Sequence, residues 1–151
     1  MAFDTRLIVD LKAGTTYYFQ VGGASGQTGQ LVFNVAPFVR FALGLSIDPG
    51  GIVARSTGIA TVTGVVNCSK PATVNIRGTL SQRMGKGAAS GSISVSMPCD
   101  GPTPWKADVP SGANSFAGGN ADVSLSAFAF TPGGEGATVE LASTVRLQSI
   151  R

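Results

Sequence analysis

Apolar and polar residues alternate with a period of two along most of this chain, the pattern of strands that bury one face. Leu7, Val9 and Leu11 alternate with Arg6, Ile8 and Asp10; Tyr17, Phe19 and Val21 alternate with Thr16, Tyr18 and Gln20; Leu31, Phe33 and Val35 repeat the pattern. A longer run follows in Val39, Phe41, Leu43, Leu45 and Ile47, and further runs cover 59–66, 73–80, 92–97 and 139–147. One run breaks the rule. Val123 and Leu125 stand on one parity and Phe128 and Phe130 on the other, which predicts either a β-bulge near Ala127 or a strand buried on both faces.

Turn chemistry separates the runs: Ala13-Gly14, the stretch 22–29, Asp48-Pro49-Gly50-Gly51, Met84 to Gly87, Asp100-Gly101-Pro102, Gly118-Gly119 and Pro132-Gly133-Gly134. No window of helical length shows a period of 3.6. About ten short strands with closely spaced turns predict an all-β protein. Ala36-Pro37 is the expected boundary. Residues 1–36 then form an N-terminal three-stranded β appendage. Residues 38–151 hold seven strands, the number an immunoglobulin-like antiparallel β-sandwich requires.

Cys68 and Cys99 are the only cysteines among 151 residues. The runs on either side of Met84-Gly85-Lys86-Gly87 predict a hairpin in which paired positions sum to about 170. Cys99 then faces Pro71, with Cys68 one short turn earlier, close enough to bridge the open end of the hairpin. A bridge suits an oxidising compartment. Two free buried thiols and metal ligation are the alternatives, and two cysteines without histidine do not complete a zinc site.

Composition narrows the function. Charged residues make up 13%, against about 25% in ordinary soluble proteins. Ser, Thr, Gly and Ala occupy the surface positions instead, so the surface repels other molecules weakly. The net charge of +3 is spread along the chain without a basic cluster, which speaks against nucleic acid as a partner. No apolar run is long enough to span a bilayer as a helix. Asp4, Arg6 and Asp10 interrupt the start, so it does not read as a signal peptide; a removed leader or a fragment of a longer chain is expected. Histidine is absent, which removes the commonest general base, and neither a nucleophile elbow nor a phosphate-binding glycine loop is present. Only eight acids are available for a paired-carboxylate mechanism. No cofactor is implied. Asp48 and Asp100 resemble calcium ligands less than ordinary turn residues beside Gly and Pro. The expectation is a protein that is not an enzyme.

Three features remain as candidate contact or modification sites. Trp105, in Pro102-Thr103-Pro104-Trp105-Lys106, either stacks on a sugar or a partner or packs in the core against the disulfide. Tyr17, Tyr18 and Phe19 form an aromatic run, and alternation turns one of its two faces outward. Asn67-Cys68-Ser69 is a formal N-glycosylation sequon, either a modified position or a coincidence of sequence.

Two resemblances add to this reading. Ala13-Gly14-Thr15-Thr16-Tyr17-Tyr18-Phe19-Gln20-Val21-Gly22-Gly23, followed by Gly29-Gln30-Leu31-Val32-Phe33-Asn34-Val35, resembles the end of the bacterial pre-peptidase C-terminal domain. That resemblance covers about the first 35 residues and implies a non-catalytic appendage of secreted proteins, associated with attachment to substrates or surfaces. Within residues 57–130, Ala60-Thr61-Val62-Thr63-Gly64 with Cys68, Cys99-Asp100-Gly101-Pro102-Thr103-Pro104-Trp105 and Phe116-Ala117-Gly118-Gly119 resemble an uncharacterised family of secreted bacterial domains. It implies an extracellular immunoglobulin-like module with a disulfide.

The functional expectation is an extracellular or cell-surface structural protein, a filament or assembly subunit whose principal partner is itself, joined by β-strand contacts. The alternatives are a module binding carbohydrate or another surface, with cell-surface polysaccharide contacting Tyr18 and Trp105, and a passive spacer.

Overall fold

The computed structural model describes residues 6–26, 28–85 and 87–151. It divides into two compact units, residues 1–39 and 40–151, three residues beyond the Ala36-Pro37 boundary.

The second unit is an all-β sandwich of six strands: β1 (Leu43–Ile47), β2 (Gly50–Ala54), β3 (Ala60–Met84), β4 (Gly87–Val109), β5 (Gly119–Phe130) and β6 (Gly136–Ile150). Two of them, β3 and β4, are far longer than an ordinary strand, because each runs through both layers. The first part of β3 pairs with β1 on one side (Leu45↔Val66) and with the second part of β4 on the other (Gly64↔Trp105). The second part of β3 pairs with β5 (Ile76↔Ala127) and with the first part of β4 (Ile76↔Val95). The layer change coincides with a register shift between Cys68 and Ala72, where β3 gains residues over its partner. A bulge of this kind bends a strand and lets it turn the corner between layers. β2 joins the layers at the other end, antiparallel to the start of β3 and parallel to the end of β6 (Ile52↔Gln148). β5 and β6 form a hairpin in continuous register from Gly119↔Leu147 to Phe130↔Gly136.

Alternation explains the core. Ala60, Val62, Val66, Val74, Ile76 and Leu80 of β3 are buried, as are Ile93 and Val109 of β4, Val123 and Leu125 of β5, and Val145 and Leu147 of β6. Where large groups cross the interior, the sequence supplies glycine. A Cβ on Gly64 would collide with the Ser46 carbonyl and the Trp105 ring, and one on Gly78 with the Ser124 carbonyl and Leu125. A buried Gln82 closes one end. Its Nε2 donates to the Ala117 carbonyl and its Oε1 accepts from the Ala117 N–H, both at 2.9 Å. That clamp, with Phe116 buried beside it, fixes the loop between β4 and β5.

Several expectations need correction. The first unit contains no strand among its described residues, only a 3-10 turn at Ala24–Gly26, so the three-stranded appendage is not formed. Its runs alternate as expected but are short, and short strands without partners are marginal in water. The bulge and the doubly buried strand expected near Ala127 are both replaced by a regular strand: Ala127 and Ala129 continue the buried parity of Val123 and Leu125, while Phe128 is half-buried and Phe130 exposed on the outer face. Arg77 covers the Phe128 ring at 5.7 Å and Phe130 meets it edge-on at 6.1 Å, which accounts for aromatic residues there. Asp100-Gly101-Pro102 is not a turn but the point where β4 passes from one layer to the other. Six strands replace the expected seven, because the runs on both sides of the disulfide are continuous.

Candidate interaction surface

The Cys68–Cys99 bridge is formed, with Cα atoms 5.9 Å apart, at the layer change. Hairpin pairing brings it about: Cys68 faces Gly101 and Cys99 faces Ala72, one residue from the expected Pro71. Both cysteines are buried.

Trp105 is not available for stacking. Its side chain is 3% exposed, and its indole N–H donates to the Ser46 carbonyl at 3.2 Å. A tryptophan on β4 lies over Gly64 because glycine alone leaves room for the ring. The core alternative raised by the sequence is the one observed.

The aromatic run of the first unit is outside any strand. Tyr18 is 93% exposed, and Tyr17 and Phe19 about half so. The Tyr17 hydroxyl accepts from the Lys12 N–H at 3.0 Å, and Phe19 lies 5.5 Å from Phe33. Leu7, Leu31, Val32 and Val35 are likewise exposed. Asn67 is exposed in the middle of β3 between Gly44 and Pro102, and the Ser69 hydroxyl of the sequon accepts from the Ala42 N–H at 2.8 Å. Among the described residues no group of three or more His, Cys, Asp or Glu side chains is placed to hold a metal ion. The Asp48 carboxylate accepts from the Thr63 hydroxyl, and Asp100 is exposed at the layer change.

The surface that the sequence reading did not single out is the outer face of the larger layer. There the register aligns small polar side chains across four strands. Ser90, Ser81, Asp122 and Thr144 form one row across β4, β3, β5 and β6, and Ser92, Thr79, Ser124 and Ala142 the next. A third row, Ser94, Arg77, Ser126 and Glu140, adds one charge of each sign. Thr144 donates to Asp122 at 3.0 Å. Two open depressions lie on this face, lined by residues such as Thr79, Ser124 and Ala142. The signal was present in the sequence as the polar half of each alternating run, but those residues become one surface only through the cross-strand register.

The two halves of β4 treat the sheet edge differently. β4 pairs with β3 alone among the described strands, so its other side is an edge. Residues 101–109 place Pro102, Pro104, Lys106 and Asp108 on the exposed parity, with Lys106 3.7 Å from Asp108. Proline and charge are the usual protections of an edge. Residues 87–99 carry no charged residue.

No protein-family model matches the chain, and no curated protein matches its sequence.

Proposed function

We propose that this is a non-catalytic extracellular structural protein, a subunit that assembles with copies of itself through β-strand contacts. One observation carries the reading. The first unit presents Leu7, Tyr18, Val32 and the alternating Leu31, Phe33 and Val35 to solvent, without a strand among its described residues. Alternating apolar side chains with unpaired backbone are what a segment needs to add to another sheet. Such contacts between unlike surfaces propagate from copy to copy.

Other features support it. A disulfide suits an oxidising, extracellular setting. A face of small hydroxyls with open depressions suits contact with a large partner better than enclosure of a small substrate. The glycan-binding alternative now rests on Tyr18, since Trp105 is buried.

The test is sedimentation of the full chain over a wide concentration range. Species larger than a dimer are expected, and the triple variant Leu31→Ser, Phe33→Ser, Val35→Ser is expected to lose them while keeping the sandwich's circular dichroism. A wild-type chain that stays monomeric at every concentration rejects the reading.

A further inference from the structure

Hydrogen-bond polarity along the first half of β4 can be worked out residue by residue. Proline has no N–H, so within a strand it sits where that group would face away from the partner. Pro98 pairs with Thr73 of β3, which assigns outward-facing backbone groups to the even positions of residues 87–99. Two hydrogen bonds agree. The Ser90 carbonyl accepts from the Gly112 N–H at 3.1 Å, and the Ala88 carbonyl from the Asn114 side chain at 2.8 Å. The loop after β4 thus occupies one end of this edge, and Pro98 ends it at the other. Between them Ser92, Ser94 and Ser96 point their N–H and C=O groups outward, all three exposed, with no backbone partner on this side among the described residues.

The sequence of this open stretch is nearly symmetric about its centre: Ser92-Ile93-Ser94-Val95-Ser96. A two-fold contact places the same patch of two molecules together, and two identical edges related in this way run antiparallel. With the axis at Ser94, Ser92 of one copy faces Ser96 of the other and Ser94 faces Ser94. Each pair can exchange both backbone bonds, while Ile93 faces Val95 on the core side. Other registers bring Pro98 or the occupied Ser90 carbonyl opposite a group that needs a partner. No charge along residues 87–99 opposes the approach, although charge is how such edges are commonly defended.

The geometry points to residues 92–96 of β4 as a homodimer site, in which a second copy of this chain adds its own β4 antiparallel about Ser94. The inference rests on the assembly reading and deepens it by naming a contact distinct from the N-terminal one. Pairing makes the larger layers of the two copies continuous, and the rows of small hydroxyls extend across both molecules.

The background for the test is the triple variant Leu31→Ser, Phe33→Ser, Val35→Ser, in which the N-terminal contact is removed. It is expected to sediment as a dimer. Ser94→Pro removes one outward N–H at a position of the same parity as Pro98, so the pairing with β3 is retained, and the protein is expected to become monomeric. A charge pair gives an independent readout of register. Ser92→Lys with Ser96→Lys sets like charges opposite one another and is expected to weaken the dimer by at least about tenfold in Kd. Ser92→Lys with Ser96→Asp sets opposite charges together and is expected to keep Kd within about threefold of the parent. Equal weakening by the two charge variants overturns the register and the site. A dimer that survives both Ser94→Pro and the double lysine also overturns it, and leaves the assembly reading standing if wild-type assemblies still depend on the N-terminal segment. A chain that never associates removes both.

Discussion

Residues 6–39 and β5 carry the same kind of sequence and meet opposite fates. Leu31, Phe33 and Val35 recur at every second position as Val123 and Leu125 do, although Val32 between the first two is itself apolar. Yet Leu31 is 62% exposed while Leu125 is 2% exposed. The difference lies in the neighbours. β5 is hydrogen-bonded on both sides, to β3 and to β6, so each apolar side chain it points inward meets a second layer. The N-terminal runs have the pattern without a second strand, and a pattern alone does not bury a side chain. Alternation is thus a statement about what a segment can pair with, and a partner from outside the chain satisfies it as well as one from within.

Three measurements sharpen or break this contrast. The largest effect is expected where the sandwich is stapled. Replacing Cys68 and Cys99 with serine opens a link spanning 31 residues and is expected to lower the unfolding free energy by about 3–4 kcal/mol on the chain-entropy account, measured by urea denaturation with and without the substitutions. Next is Leu80→Ala. Leu80 is fully buried between the layers, and its truncation is expected to cost about 3 kcal/mol through lost transfer energy and the cavity left behind. The smallest effect is expected from the same chemical change at Leu31. Leu31→Ala is expected to alter the stability of the monomer by less than about 0.5 kcal/mol, while weakening assembly. If Leu31→Ala destabilises the monomer as much as Leu80→Ala does, the N-terminal segment is part of the molecule's own core and the spacer reading replaces the assembly one.

Much of the sandwich was legible in advance. The buried parity of β3, β4 and β6 follows from alternation, and the hairpin at Met84 to Gly87 with its disulfide follows from turn chemistry and pairing arithmetic, to within one residue. Residues 101–109 were not legible as a strand, because Gly101, Pro102 and Pro104 are turn residues by local preference. They are accommodated because the prolines stand on the open side of β4, where a missing N–H costs no ladder bond. The aromatic side chains of β5 misled for a related reason. Phe128 and Phe130 suggest a core parity, but Arg77 gives Phe128 a partner on the outer face, and alanines occupy the inner one. Gly50–Ala54 offers too short an apolar run to declare itself and becomes β2 by pairing with both β3 and β6.

What the amino-acid sequence determined by itself was local: which side chains share a face, where hairpins close, which two sulfurs meet, and that no histidine is present for catalysis. Tertiary structure alone decided which alternating runs became strands, how β3 and β4 pass between layers, where Trp105 lies, and which stretch of edge is left open. The physical reason is that a strand's backbone hydrogen bonds are made to residues distant in sequence. Side-chain periodicity is written along one segment, but its partner is found only when the whole chain has folded.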